Sequence, residues 1–109
     1  PSAVQGAAEA GAWAIGSESD MTAFAPDRVL TGTVWDWCPF YTQAVEMVRS
    51  GSFAPGEFYG TLADGTVGIA PINPAVPPEV AAQVEAAKAA LIDGSLDYWA
   101  GPLRDNAGA

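Results

Sequence analysis

Two clusters of side chains in this chain are able to do chemistry. The first is Gly16-Ser17-Glu18-Ser19-Asp20, where two carboxylates follow a short apolar run. The second is Trp35-Asp36-Trp37, two indoles around one carboxylate. A carboxylate accepts paired hydrogen bonds, so it suits vicinal hydroxyls such as those of a ribose. An indole face suits a flat ring or the apolar side of a sugar. Structural roles compete with both readings. Ser17, Ser19 and Asp20 are good turn and helix caps, and so is Asp36. Two Trp rings can equally fill a core. Glu18 and Asp20 could also form the acid/base pair of a glycoside hydrolase. No third group shapes a leaving-group site beside them, so binding is the better expectation and no catalytic residue is assigned.

Other chemistries fall away by composition. The chain has no histidine, so neither a Ser-His-Asp nor a Cys-His arrangement can be built. Cys38 is the single cysteine, which rules out an intrachain disulfide and, with histidine absent, the usual zinc ligand sets. No phosphate-cradling glycine loop of either common spacing occurs, and no cofactor or metal is expected. Cys38 precedes Pro39 at the expected start of a helix. A helix N-terminus can activate a thiol, but a small core hydrophobe is the simpler role. The net charge is -9, with only Arg28, Arg49, Lys88 and Arg104 as basic residues. They form no patch, which argues against nucleic acid and against an anionic membrane surface as partners. Half of the residues are hydrophobic and 16% are charged, the composition of a folded domain and not of a disordered one.

The elements that must position these residues follow from local pattern. Ala3 to Ala10 reads as the last part of a helix, stopped by Gly11. Ala12 to Gly16 reads as a buried parallel strand, and Val29 to Val34 as a second strand. In an open parallel sheet, ligands gather where strands end, and Glu18 and Asp20 stand at such an end. Alternation places Trp35 and Trp37 on one side of the extended segment and Asp36 on the other. Pro39 suits the first turn of a helix running to about Ser50. Glu57 to Leu62 and Thr66 to Ala70 suit two short strands joined by Ala63-Asp64-Gly65. Pro71 to Pro78 is irregular. A helix from Pro78 to Asp93 then turns Val80, Val84, Ala87, Leu91 and Ile92 inward. With no strand before its first helix, the chain reads as a segment of a longer protein.

The order of these pieces resembles one known family. The pieces are Gly16-x-x-x-Asp20, Ala25-Pro26-Asp27-Arg28-Val29-Leu30-Thr31, the Trp-Asp-Trp segment, Tyr59-Gly60, Asp64-Gly65-x-Val67, Ala70-Pro71, Val76-Pro77-x-Glu79-Val80 and Ala100-Gly101-Pro102-Leu103-x-Asp105-Asn106. Over about residues 1–106 they resemble the C-terminal portion of the basic membrane protein (BMP) family, the substrate-binding proteins of ABC importers that include purine nucleoside receptors. The resemblance implies an α/β architecture, part of a type I periplasmic-binding-protein fold with ligand held between two lobes. It implies that residues 1–28 end the second lobe. Residues 29–109 would supply a hinge strand and elements packed on the first lobe, formed by chain upstream of Pro1. It further implies a non-enzymatic, extracytoplasmic and often lipid-anchored protein that hands its ligand to a permease. Asp20, Glu18 and Gly16 would meet a nucleoside-like or sugar-like ligand, together with Trp35, Asp36 and Trp37. Asp20 is the stronger of the two acids on the motif. Many nucleoside-binding members carry a lysine after the hinge strand, whereas here Trp35 stands in that region. A ligand-sensing regulatory lipoprotein of the same fold is the alternative.

Overall fold

A computed structural model describes residues 1–108. Helix α1 (Ser2–Glu9) leads to strand β1 (Ala14–Gly16), a 3-10 turn (Thr22–Phe24) and strand β2 (Val29–Trp35). Helix α2 (Cys38–Ser50), strand β3 (Val67–Ile69) and helix α3 (Pro78–Asp93) come after them. The three strands form one sheet in the order β1-β2-β3. β1 runs parallel to β2 with a bulge after Ala14, and β3 runs antiparallel on the other side.

β1 and β2 approach closely because glycine faces glycine. Gly16 pairs with Gly32, and a β-carbon on Gly32 would stand 2.9 Å from the Gly16 carbonyl oxygen. Real β-carbons do not tolerate that distance, so a larger residue at Gly32 would force the strands apart. β2 then outruns β1 by three residues, Thr33 to Trp35. This overhang is where the two chemical clusters meet.

The core is small and one-sided. Val4, Ala25 and Val29 are buried together, with Ala8, Ala14 and Met21 packed around them. Val29, from the β-branched run, is 1% exposed and lies at the centre. Burying a valine contributes about 1.5–3 kcal/mol, so this residue anchors α1 and the 3-10 turn to the sheet. Asn73 staples the Pro-rich segment to the same block. Its Nδ2 donates to the carbonyls of Pro26 and Val29, each at 2.8 Å.

Outside that block the secondary structure forms but its apolar faces stay open. Neither α2 nor α3 contains a buried residue. The expectation that Val80, Val84, Ala87, Leu91 and Ile92 point into a core is therefore not met: Val80 and Ile92 are 42% and 44% exposed. The helix itself is secured locally, by Pro78 in its first turn and Gly94 past its end. The first strand is parallel as expected but only partly buried: Gly16 is covered while Ile15 is 69% exposed. Among the described residues no strand flanks β1 on its far side, and no element buries the face that Ile15 presents. Total accessible surface is 7869 Å², against about 5,700 Å² for a self-contained protein of this mass. The radius of gyration is 17.9 Å, where a compact domain of this length has about 13 Å.

One expected element is absent among the described residues. Glu57 to Leu62 makes no strand, and β3 pairs with β2 instead. The N–H of Thr61 is taken by the Asp64 carboxylate, at 3.0 Å to Oδ2. A turn that consumes its donors within itself cannot extend a hairpin.

Candidate functional site

Parallel pairing carries the C-terminal ends of β1 and β2 to the same edge. The chain leaving β1 then runs alongside the overhanging residues of β2. The Glu18 N–H donates to Thr33 Oγ1 at 3.4 Å, and the Trp35 N–H donates to the Glu18 carbonyl at 3.2 Å. The acidic turn and the Trp-Asp-Trp segment, 15 residues and more apart in sequence, are thus joined backbone to backbone.

Glu18 is held in an unusual state. Its φ is +72°, the left-handed region that a residue with a β-carbon adopts at a cost of roughly 1–2 kcal/mol. No other non-glycine residue among those described has a positive φ. Its carboxylate receives no hydrogen bond and no ion pair from the described residues, and the side chain is exposed. Asp20 differs. Its Oδ1 accepts the Thr22 N–H at 2.9 Å, the capping role open to it from sequence. Hydrogen bonding from the Thr22 side chain and backbone holds the Asp20 carboxyl below its ordinary range. A general acid needs the opposite shift, so this geometry does not prepare Asp20 for acid catalysis. Asp20 lines a hollow of about 180 Å³ with Thr22, Pro71, Asn73 and Pro74, separate from the tryptophans. Gly16 is buried, and a β-carbon there would meet the Met21 side chain at 2.9 Å. Its role is to let the acidic turn fold back closely.

Trp35 and Trp37 meet edge to face, with ring centroids 6.0 Å apart and planes at 87°, although β2 ends at Trp35 and Trp37 already has helical dihedrals. They are 47% and 39% exposed, so neither fills a core within this chain. Trp37 also contacts Phe40, Tyr41 and Phe58 at 6.2–6.5 Å. Asp36 accepts the Cys38 N–H at 2.9 Å in the turn that leads into α2. That bond commits one of its oxygens to structure. Cys38 is exposed and so is not the core hydrophobe expected for it. The neighbouring Asp36 side chain raises its thiol pKa, which removes the case for an activated thiolate as well.

The indoles form one wall of a cavity of about 220 Å³ whose other wall is Gly60, Thr66 and Val67. Sequence reasoning missed these three, and Phe58 with them. Thr66 is 3% exposed, and Gly60 packs directly on its side chain where a β-carbon would clash. Pairing of Val67 with Trp35 across β2 and β3 sets the two walls opposite each other. The Asp64-Gly65 step was the available signal, because an aspartate before glycine takes nearby N–H groups and fixes the residues on either side of the turn.

No family model matches the chain. Over 101 residues it is 34% identical to a protein of Haloferax volcanii named as an ABC transporter glucose-binding protein, covering 93% of this chain and 26% of that one. Over 107 residues it is 32% identical to a purine-binding protein of Brucella abortus, covering 98% and 30%. The chain therefore spans less than a third of the length of these relatives. Among solved structures, a transcriptional activator of the comK gene from Bacillus halodurans superposes with a TM-score of 0.72 at 25% identity, over 89% of this chain and 33% of that one. A solute-binding protein of an ABC transporter system from Aeropyrum pernix superposes at 0.60 and 19% identity, over 97% and 38%. The resemblance to ABC-importer solute-binding proteins holds, and the α/β fold is that of a piece of a type I periplasmic-binding protein.

Proposed function

We propose that this chain is part of an extracytoplasmic solute-binding protein of an ABC importer, of the basic membrane protein type, that takes up a nucleoside-like or sugar-like molecule. The carrying observation is the backbone bond that ties Glu18 to Trp35. It joins the backbone of a residue with an unpaired carboxylate to that of a residue with an exposed indole, at the C-terminal edge of parallel strands, where α/β folds bind small ligands. A charged acceptor for hydroxyls beside an aromatic face is the chemistry that ribose, nucleosides and sugars share. Of the two acids, Glu18 carries more of this reading than Asp20, since Asp20 already accepts the Thr22 N–H. Gly16, Asp36 and Trp37 act behind them: Gly16 admits the close turn, Asp36 holds the turn into α2, and Trp37 completes the aromatic wall.

Residues 1–28 belong in this reading to the end of the second lobe. Residues 29–109 form the hinge strand and the elements that pack on the first lobe, whose chain lies upstream of Pro1. The open faces of α2 and α3 support that arrangement, because apolar stripes of this kind are normally covered. The protein would work beside a permease, with a lipid anchor at the cell surface or in the periplasm. The purine and glucose named for the two relatives are the first ligands to try.

The test is equilibrium titration of the full gene product with adenosine and with glucose. Binding of either is expected, and Trp35→Ala should weaken it by roughly fivefold or more, with little change in melting temperature. Unchanged affinity together with a large loss of stability would return Trp35 to a purely structural role. A second reading, a ligand-sensing regulator on the same fold, is favoured by the transcriptional activator that superposes at a TM-score of 0.72. Uptake of labelled ligand by cells separates the two, since a sensor binds without transport.

A further inference from the structure

Asp64 stands outside the cavity, exposed and in the tip of a loop, yet three of the five residues lining that cavity depend on it. Its Oδ1 accepts the Thr66 N–H at 2.8 Å and the Thr61 N–H at 3.1 Å. Its Oδ2 accepts the Thr61 N–H at 3.0 Å and the Thr61 hydroxyl at 2.9 Å. The Asp64 N–H returns a bond to Thr61 Oγ1 at 3.2 Å. One carboxylate thus clamps residues 61 and 66 together. The consequences pass straight to the cavity wall. Gly60, bonded to Thr61, is pressed against the Thr66 side chain. The Val67 N–H donates to the Thr61 carbonyl at 3.1 Å. The Thr66 carbonyl accepts the Asp36 N–H at 2.8 Å, between the two tryptophans. The Asp64 clamp therefore ends on the backbone that carries Trp35 and Trp37.

We infer that Asp64 is a positioning residue: it sets the wall formed by Gly60, Thr66 and Val67 at its distance from Trp35 and Trp37, and so fixes the width of the cavity without touching its contents. The inference deepens the proposed function and rests on it only where ligand affinity is concerned. The wall itself is a property of the free protein. Sequence motif alone assigns Asp64 to a turn. The clamp adds that its four accepted bonds fix Gly60, Thr66 and Val67, residues that the turn type does not concern.

The indoles supply a ligand-free readout. Two indoles 6.0 Å apart couple their electronic transitions and give a bisignate band in far-ultraviolet circular dichroism. In the full gene product, subtracting the Trp35→Phe spectrum isolates that pair. Asp64→Ala should reduce the isolated couplet to less than about half and raise acrylamide quenching of the pair, with the helical signal intact, because the Asp36 N–H loses a fixed acceptor. Asp64→Asn should keep most of the couplet, since its Oδ1 still accepts from Thr61 and Thr66. A couplet unchanged in Asp64→Ala overturns the inference. So does an Asp64→Asn variant as damaged as Asp64→Ala, because a conservative acceptor would then fail to rescue. Titration with adenosine and with glucose separates this from the proposed function. Loss of the couplet with about tenfold weaker binding supports both. Loss of the couplet with unchanged binding leaves Asp64 as the positioning residue and removes the cavity from the ligand site.

Discussion

Two acid-bearing turns grip the end of β2 from opposite sides, and they are built on opposite principles. The turn from Gly16 to Thr22 holds the Trp35 N–H through the Glu18 carbonyl. The turn from Thr61 to Thr66 holds the Asp36 N–H through the Thr66 carbonyl. In the second turn every demand is met locally. Asp64 spends both oxygens on Thr61 and Thr66, and the left-handed position, φ +83°, is given to Gly65, which has no β-carbon to strain. In the first turn the left-handed position falls on Glu18, and its carboxylate is left unpaired. Strain is kept there where glycine would relieve it, beside an acceptor with no partner among the described residues, which is the contrast the proposed role of Glu18 predicts. The comparison separates a turn that closes on itself from a turn that leaves a carboxylate open, within one small sheet.

The largest effect should come from removing the Glu18 carboxylate. Glu18→Ala keeps a β-carbon, and therefore the same backbone strain, while deleting the acceptor. Affinity for whichever of adenosine or glucose the wild type binds should fall by about 10²-fold, because a buried ligand hydroxyl loses a charged partner. Asp20→Ala should stay within about threefold, its oxygen being occupied by Thr22. Isothermal titration of the two variants side by side checks this. If Asp20→Ala is the more damaging, the acid turn works as the motif alone suggests and the unpaired carboxylate is incidental.

Much of the frame was legible in the sequence for reasons that do not need the rest of a protein. α2 and α3 begin at prolines and end at glycines, and these local devices hold whether or not a face is covered. The β-branched run from Val29 gave β2, and Trp35 and Trp37 meet as expected, though through a turn and not through extended alternation. The illegible part depended on partners. Apolar spacing in α3 says which residues can be buried and not what buries them, so Val80 and Ile92 remain open. The strand expected over residues 57–62 fails because Asp64 captures the donor at Thr61, a side-chain competition that periodicity cannot register. The acidic cluster was read as a strand end, which the pairing of Gly16 with Gly32 supports. The motif pointed to Asp20 ahead of Glu18, and what sets the two apart in the fold, a backbone φ and a turn bond, is not carried by residue type.

A smaller effect, opposite in sign at the two turns, should come from exchanging glycine with a β-carbon. Glu18→Gly relieves the left-handed strain and should stabilise the full gene product by about 1 kcal/mol, less what glycine adds to the freedom of the unfolded chain. Gly65→Ala places a β-carbon at φ +83° and should destabilise by about the same amount. Urea unfolding monitored by tryptophan fluorescence measures both. Two changes of the same sign would mean that Glu18 is not strained in solution and that the contrast between the turns is false.

The smallest effect is in the titration of the two capping aspartates. Hydrogen bonds from the Thr66 side chain and backbone, then from Thr61, hold the Asp64 carboxyl down to about 2. Asp20 is also lowered, by Thr22, without so large a shift. Both folded values lie below the ordinary 3.8 that the unfolded chain would show. Each turn is therefore supported fully above that ordinary value, and its support is lost as pH falls through the lowered one. The Asp20 turn should loosen first on acidification, with the Asp64 clamp persisting until about pH 2. Both groups are solvent-exposed, so screening keeps the gain in global stability small, and the readout is local. Carboxyl carbon shifts measured by NMR should give two separate midpoints, Asp64 the lower. The coupled indole band should survive to the Asp64 midpoint and not end at that of Asp20. If the band is lost with Asp20, the indoles are held from the acidic turn, and the division of labour between the two sides of β2 is the reverse of the one argued from the bonds.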